Sequence, residues 1–247
     1  MGFIHWPVLF QFYFVLVSSL QLPPQITKCR KTDAICMSKS ITDALLFFAN
    51  GSEEFGFPKL EPFYVELLEI TGDPGKSATL SQRYDNVFMH GMTDTQVKHF
   101  RLQDDEQTCK WEIDTYTPIT RMNADYSLSG QILVFPINGH GKCNVTMNGI
   151  KNKQKAECEH YTRKGKTYLR FTSYSMNMSV ESCQFDFPNI IPGNEQISRE
   201  VEKTVNENAL EIFKEVKGGF EQVFSKLYKN TANSLFSKIP EDELFLP

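Results

Sequence analysis

The stretch Ile197–Ile239, ISREVEKTVNENALEIFKEVKGGFEQVFSKLYKNTANSLFSKI, decides how the rest of the chain must fold. Apolar or small side chains at Ile197, Val201, Val205, Ala209, Ile212, Val216, Phe220, Val223, Leu227, Thr231, Leu235 and Ile239 recur every three or four residues. That is the 3.6-residue period of one amphipathic helix, and Phe213, Phe224, Tyr228 and Phe236 widen its stripe. Glu and Lys residues fill the opposite, solvated face. Asn194 after Pro192-Gly193 is the expected N-cap, and Pro240 ends the run. At about 1.5 Å per residue one unbroken helix would be roughly 60–65 Å long, more than a compact domain of this size can span, so something elongated has to cover it. Gly218-Gly219 falls mid-helix, where each glycine costs about 1 kcal/mol relative to alanine, and predicts a bend or a close backbone contact. Two shorter helices broken at those glycines are the alternative. A regular two-position heptad seam is missing, which argues against a coiled coil.

At the other end, Phe3–Leu20 is almost wholly apolar, and within it the run Val8–Val17 is followed by small residues, Ser18-Ser19. Residues 1–19 read as a secretory signal, with a retained anchor as the competing reading because no Lys or Arg precedes the apolar run. Residues 20–247 are then expected to form one mature domain, secreted and monomeric. The formal charge of −4 lies entirely outside the leader, so there is no basic stripe for phosphates and nucleic acid is not an expected partner.

The six cysteines, Cys29, Cys36, Cys109, Cys143, Cys158 and Cys183, all follow the leader, and an even count in an oxidising compartment favours disulfides. Cys29 and Cys36 are close enough to close a local loop. The other four allow three pairings, among which sequence does not choose. A hairpin of Lys153–Tyr161 and Lys166–Tyr174 about Arg163-Lys164-Gly165 favours Cys143 with Cys183, leaving Cys109 with Cys158. No CxxC pair occurs and the histidines are scattered, so no metal site is expected. Asn50, Asn144 and Asn177 open glycosylation triplets.

Ser38–Ala49 reads as a second amphipathic helix presenting Ile41, Ala44, Leu45 and Phe48, with Ser38 or Ser40 as cap and Asn50-Gly51 as stop. Phe55–Ile70 mixes Pro, Gly and aromatics and fits an extended connector or a broken helix equally well. From Leu80 to Phe187 the period changes to two, as in Trp111, Ile113 and Thr115 against Glu112 and Asp114. Gly130, Gly139-His140-Gly141 and Gly165 are the expected turns of a strongly curved antiparallel meander. One apolar sheet face and one apolar helix stripe complement each other.

Several segments carry a specific likeness. They are the close pair in Cys29-Arg-Lys-Thr-Asp-Ala-Ile-Cys36, Leu60-Glu-Pro-Phe63, Asn86-Val-Phe-Met-His-Gly-Met92, and Gly130-Gln-Ile-Leu-Val-Phe-Pro-Ile137 leading into Gly139-His-Gly-Lys-Cys-Asn-Val-Thr146. Lys164-Gly-Lys-Thr-Tyr-Leu169, Val205-Asn-Glu-Asn208, Ala232-Asn-Ser-Leu-Phe-Ser-Lys-Ile-Pro240 and Glu243-Leu-Phe245 continue it. In order and spacing the chain resembles the takeout and juvenile-hormone-binding protein family of insect secreted lipid carriers, within the tubular lipid-binding superfamily. The resemblance implies an α+β fold, a long C-terminal helix wrapped by a highly curved antiparallel sheet with a short N-terminal helix, enclosing an apolar tunnel. Cys109, Cys143, Cys158 and Cys183, and the Gly218-Gly219 pair, depart from the family's usual pattern.

No GxSxG elbow, P-loop, HExxH or GxGxxG fingerprint appears, and no cofactor or enzymatic role is expected. Gly139-His140-Gly141 reads as a bulged turn and Asp104-Asp105-Glu106 as a solvated one. Given the resemblance, the residues expected to line the tunnel are Ile41, Leu45, Phe48, Val134, Phe135, Phe171, Tyr174, Phe213, Val216, Phe220, Val223 and Phe224. Tyr116, Tyr126, Tyr168 and Tyr174 are the candidates for a hydroxyl bonded to a ligand oxygen. The expected function is a secreted carrier of a small lipophilic molecule, a juvenile-hormone-like terpenoid, a fatty acid or a similar compound. The alternative is a regulatory protein holding a structural lipid and acting through a receptor or membrane surface; a secreted hydrolase lacks its nucleophile.

Overall fold

The structure, a computed structural model, describes residues 20–71, 78–105 and 107–247; the expected leader and Glu106 of the acidic run lie outside the described residues. In chain order it runs β1 (Cys29–Arg30), α1 (Ala34–Phe47), β2 (Phe63–Ile70), β3 (Ala78–His90), β4 (Gln96–Asp104), β5 (Thr108–Ile132), β6 (Phe135–Arg163), β7 (Lys166–Ser179) and β8 (Ser182–Asp186). Helices α2 (Glu195–Glu207), α3 (Ala209–Phe236) and α4 (Glu241–Leu244) follow, then β9 (Phe245–Leu246).

The sheet is organised on β5 and β6, of 25 and 29 residues. They pair antiparallel from Thr108↔Glu159 to Ile132↔Phe135. At about 3.4 Å per residue these strands run roughly 85 and 100 Å, so the ribbon has to coil. β4 and then β3 take the free edge of β5, β2 continues from β3, and β7 and β8 share the free edge of β6. Of the expected turns, the one at Gly165 is present and the other two are not. Gly130 and Gly139-His140-Gly141 lie inside strands. The β5–β6 turn is Leu133-Val134, with Leu133 at φ 53°, and the β6–β7 turn is Lys164-Gly165. Gly139 serves close approach instead, since a Cβ there would stand 2.6 Å from the Ile190 Cα.

Alternation along the two long strands is broken once, at the same level. On β5 the buried side chains include Cys109, Trp111, Thr115 and Thr117, then Thr120, Met122, Ala124, Tyr126, Leu128 and Ile132; on β6 they include Ile137, Cys143 and Val145, then Ile150, Gln154, Ala156 and Cys158. The parity changes across Pro118-Ile119 and across Asn148-Gly149, and Ile119 faces Asn148 in the register. Pro118 has no amide to give a ladder, and Gly149 takes φ 60°, so both strands yield there together and their inward faces stay matched.

The C-terminal stretch is helical but not unbroken. Asn208, at φ −111° and ψ 21°, ends α2 and starts α3. Its amide donates to the Thr204 and Val205 carbonyls, and its side chain donates to Thr204. α3 then runs 28 residues straight through Gly218-Gly219, about 42 Å. The glycine pair marks a close contact: a Cβ on Gly219 would come within 2.2 Å of Ile70 Cγ2, while one on Gly218 would meet nothing.

Helices α2 and α3 dock on the outer edge formed by β8 and β7, using side chains in place of a further strand. Asn206 accepts from the Phe185 amide at 2.8 Å and donates to the Phe185 carbonyl at 2.7 Å. Asn233 does the same for Phe171, at 2.7 and 2.9 Å. Between them Glu221 accepts from the Met178 amide and Lys217 donates to the Met178 carbonyl. An edge whose amides and carbonyls would otherwise be open is thereby closed.

α1 begins earlier than Ser38, because Asp33 accepts from the Cys36 amide at 3.0 Å and caps the helix. The connector after it is neither a helix nor an extended run but a series of turns with the isolated bridges Ser52↔Phe57 and Leu60↔Phe63, leading into β2. The chain ends meet where β1 pairs parallel with β9, Cys29 opposite Phe245. Lys31 bridges Asp104 and Glu241 beside them, and His160 is held between the same two carboxylates.

Cys29–Cys36 and Cys109–Cys158 are disulfides, the second between directly opposed positions of β5 and β6. Cys143–Cys183 is not formed; both are buried free thiols. The hairpin does extend, but its register sets Cys183 opposite Met147, four residues from Cys143. That is about 13 Å along the strand, beyond the ~7 Å that a bridge tolerates.

Candidate functional site

Two apolar clusters form the interior. One gathers β2, β3, the distal half of β5, β8, α2 and the start of α3; the other gathers α1, the proximal half of β5, β7, the end of α3 and the joined termini. A single cavity of about 370 Å³ reaches both. Its wall is almost wholly apolar and, among the described residues, carries no charged side chain. Met37, Met89, Met92, Met122, Met147 and Met178 all border it. Methionine is flexible and polarisable, so this wall can adapt to ligand shape.

Of the residues expected from sequence, Ile41, Leu45, Phe171, Tyr174, Phe213, Val216, Phe220 and Phe224 border the cavity. The other four do not. Val134 is in the turn and 79% exposed. Phe135, next to it, and Val223 pack against the first cluster from outside the cavity. Phe48 is fully buried just beyond α1, stacked on Phe57 at 4.4 Å.

The tyrosines sort differently from expectation. Tyr126 spends its hydroxyl on the Pro188 carbonyl at 3.0 Å, Tyr168 lies under the Arg163 guanidinium and Tyr116 under Lys98. Tyr174 borders the cavity, joined by Tyr84 and Tyr228, which the sequence reading missed. Tyr84 donates to Gln82 at 2.9 Å and Tyr174 donates to Gln154. Burial raises the pKa of all three, Tyr228 to about 12, so each hydroxyl keeps its proton and is a neutral group.

Trp111 Nε1, Thr120 Oγ1 and Asn152 Oδ1 are buried without a hydrogen-bond partner among the described residues, and all three side chains border this cavity. Each such atom costs about 1–3 kcal/mol until something bonds it.

Asp104, Cys109 and His160 bring ligand-type atoms within 4.8 Å of one another. They do not make a metal centre, because the Cys109 sulfur is committed to Cys158 and the His160 ring nitrogens to Asp104 and Glu241. Asp105 does form a turn, accepting from the Gln107 and Thr108 amides. Asn50, Asn144 and Asn177 are all exposed. Asn144 is also tied to Asp186 at 2.7 Å.

A long helix clasped to the edge of a coiled antiparallel sheet, around an uncharged apolar cavity, defines a lipid-binding carrier fold. The family described as haemolymph juvenile hormone binding protein matches residues 8–246, and the chain belongs to that family. The circadian clock-controlled protein daywake of Drosophila yakuba is 23% identical over 234 residues, covering 92% of this chain and 90% of its own. Daywake of Drosophila melanogaster is 22% identical over 228 residues, covering 90% and 88%. The crystal structure of Epiphyas postvittana Takeout 1 superposes with a TM-score of 0.79 at 19% identity, over 89% of this chain and 99% of that one. These matches agree with the resemblance carried by the sequence segments, and the Takeout 1 structure shares the helix-and-curved-sheet architecture.

Proposed function

We propose that the chain is a secreted carrier, cleaved after residue 19, whose mature domain of residues 20–247 is a monomer holding one small lipophilic molecule in its cavity. The observation that carries this reading is the 370 Å³ cavity with an apolar, uncharged wall inside a fold of this family. Binding is driven by removing apolar surface from water, and no bond is made or broken. A terpenoid like juvenile hormone fits the wall better than an ionised fatty acid, because a carboxylate moved into that wall would lose its hydration with no cation to compensate.

Delipidated recombinant protein titrated with a juvenile hormone analogue, a neutral terpenoid and a fatty acid tests the reading. The expected order of affinity is neutral terpenoids first and the ionised fatty acid last. A folded, lipid-free sample that takes up none of them overturns it.

A further inference from the structure

We infer that the cavity recognises a ligand whose polar group lies in the middle of its length, neutral and flanked by apolar segments on both sides. This rests on the carrier reading and specifies its ligand.

Four elements cross from one apolar cluster to the other, and each changes character in the same order. Along β5 the wall runs from Trp111 and Ile113 through Thr115, Thr117 and Thr120 to Met122 and Leu128. On β6 Asn152 and Gln154 lie between Ala156 of one cluster and Ile150 and Val145 of the other. On β7 Tyr174 lies between Phe171 and Met178, and on α3 Tyr228 and Thr231 lie between Phe224 and Phe236. Thr115 stands opposite Asn152 in the register, and Tyr174, whose backbone lies opposite Ala156, reaches toward this level with its side chain by donating to Gln154. Polar side chains thus gather at the waist of the tunnel, near the corner where β5 and β6 exchange faces; toward the distal end the wall carries one further polar pair on β3, Gln82 and Tyr84, bonded to each other.

Part of the waist group is internally satisfied. Tyr174 donates to Gln154, Gln154 donates to Thr115 at 3.1 Å, and Thr117 pairs with Thr95 at 2.7 Å. Thr120 Oγ1 and Asn152 Oδ1 are the atoms left over, with Trp111 Nε1 four inward positions from Thr120 on β5. Such leftover groups reward a ligand atom that bonds them and penalise a purely hydrocarbon stretch placed there. With no charged side chain in the wall, that atom belongs to a neutral function such as a secondary alcohol, a ketone or an internal ester.

The test is a matched series of neutral probes of about thirteen carbons, a length suited to a cavity that would hold on the order of a dozen waters. It comprises the straight alkane, the primary alcohol and the secondary alcohol with its hydroxyl on the central carbon, each measured by displacement of a fluorescent apolar dye. The central alcohol is expected to bind the native protein on the order of fivefold to tenfold more tightly than the primary alcohol. In the Thr120→Val, Asn152→Leu double variant that preference should vanish while the alkane binds at least as well as before. Equal binding of the two alcohols by the native protein overturns the inference and leaves the carrier reading intact. So does a preference that survives in a folded double variant. If no probe binds, the carrier reading falls and this inference with it. The native-protein comparison stands even where the double variant does not fold.

Discussion

Asn233→Ala removes the asparagine clasp that holds the C-terminal part of the long helix to the sheet edge, and the geometry sets its cost. Phe171 is 4% exposed, its amide donates to Asn233 at 2.7 Å, and its carbonyl accepts from Asn233 at 2.9 Å. Truncation leaves a donor and an acceptor of one buried residue unpaired, each at about 1–3 kcal/mol. With some relief from water entering at the edge, the expected loss is about 2–4 kcal/mol. For a domain of this size that is a fall in Tm of roughly 5–15 °C. Urea denaturation followed by fluorescence is the assay, because Trp111 is the one tryptophan outside the expected leader and its ring lies 5.3 Å from that of Phe171. Asn230→Ala, exposed on the same helix, is the control and should stay within about 0.5 kcal/mol. If Asn233→Ala costs no more than this control, the clasp contributes nothing and the account of helix docking is wrong.

The two neighbouring glycines should respond with opposite signs: Gly219→Ala lowers stability by about 1–3 kcal/mol through its collision with Ile70, and Gly218→Ala raises it by about 0.5–1 kcal/mol, both read by thermal melting. Replacing Cys109 and Cys158 by serine should cost about 4 kcal/mol, against about 2.5 kcal/mol for Cys29 and Cys36, because the loop closed is longer; chemical denaturation of the two variants ranks them. Burial pushes the Cys143 thiol up to about 12 and the Cys183 thiol up to about 11, from an ordinary 9.0. A raised folded-state pKa means that this stabilisation is fully present below about pH 9 and is lost as pH climbs through the folded values, so melting temperature should decline in that window and decline less in a Cys143→Ala, Cys183→Ala variant. Unfolded, unreduced protein should titrate two thiols, and folded protein none at neutral pH. Val216→Trp, filling the cavity, should weaken dye binding by about tenfold or more, whereas Val134→Asp in the exposed turn should leave it unchanged.

The long helix was legible because its stripe repeats for about twelve turns, and the sheet because period-two alternation persists from Leu80 to Phe187. The break at Asn208 was not. An asparagine in a helix costs little locally, and the decision rests on Asn206 reaching Phe185 across the fold. The cysteine register was missed because a slip of four residues in a hairpin extension is invisible without the strand partners. Thr120, Asn152 and Gln154 read as ordinary strand polarity, since which parity points inward depends on a face exchange at Pro118 and Gly149 that two residues alone betray. Val134 and Phe135 failed in the opposite sense: their hydrophobicity suggested an interior, but the positive φ at Leu133 turns the chain there.

Those misses have a common physical origin, and it bears on why the protein is hollow. A helix laid face-down on a sheet settles until side chains interdigitate at crystal-like density, and a void of this size would collapse or be penalised. Here the helices are tied instead to the sheet's edge, α2 at Phe185 and α3 at Met178 and Phe171, by side chains that must reach the backbone of β8 and β7 to satisfy it. Moving the helices inward would lengthen all of those bonds together and strand buried amides and carbonyls, each a loss of the order that closing a comparable volume of cavity would recover. Ile70 against Gly219 sets a further limit on how closely the helix approaches β2. The cavity is held open by polar contacts at its margin, made by Asn206, Lys217, Glu221 and Asn233 to the sheet's edge.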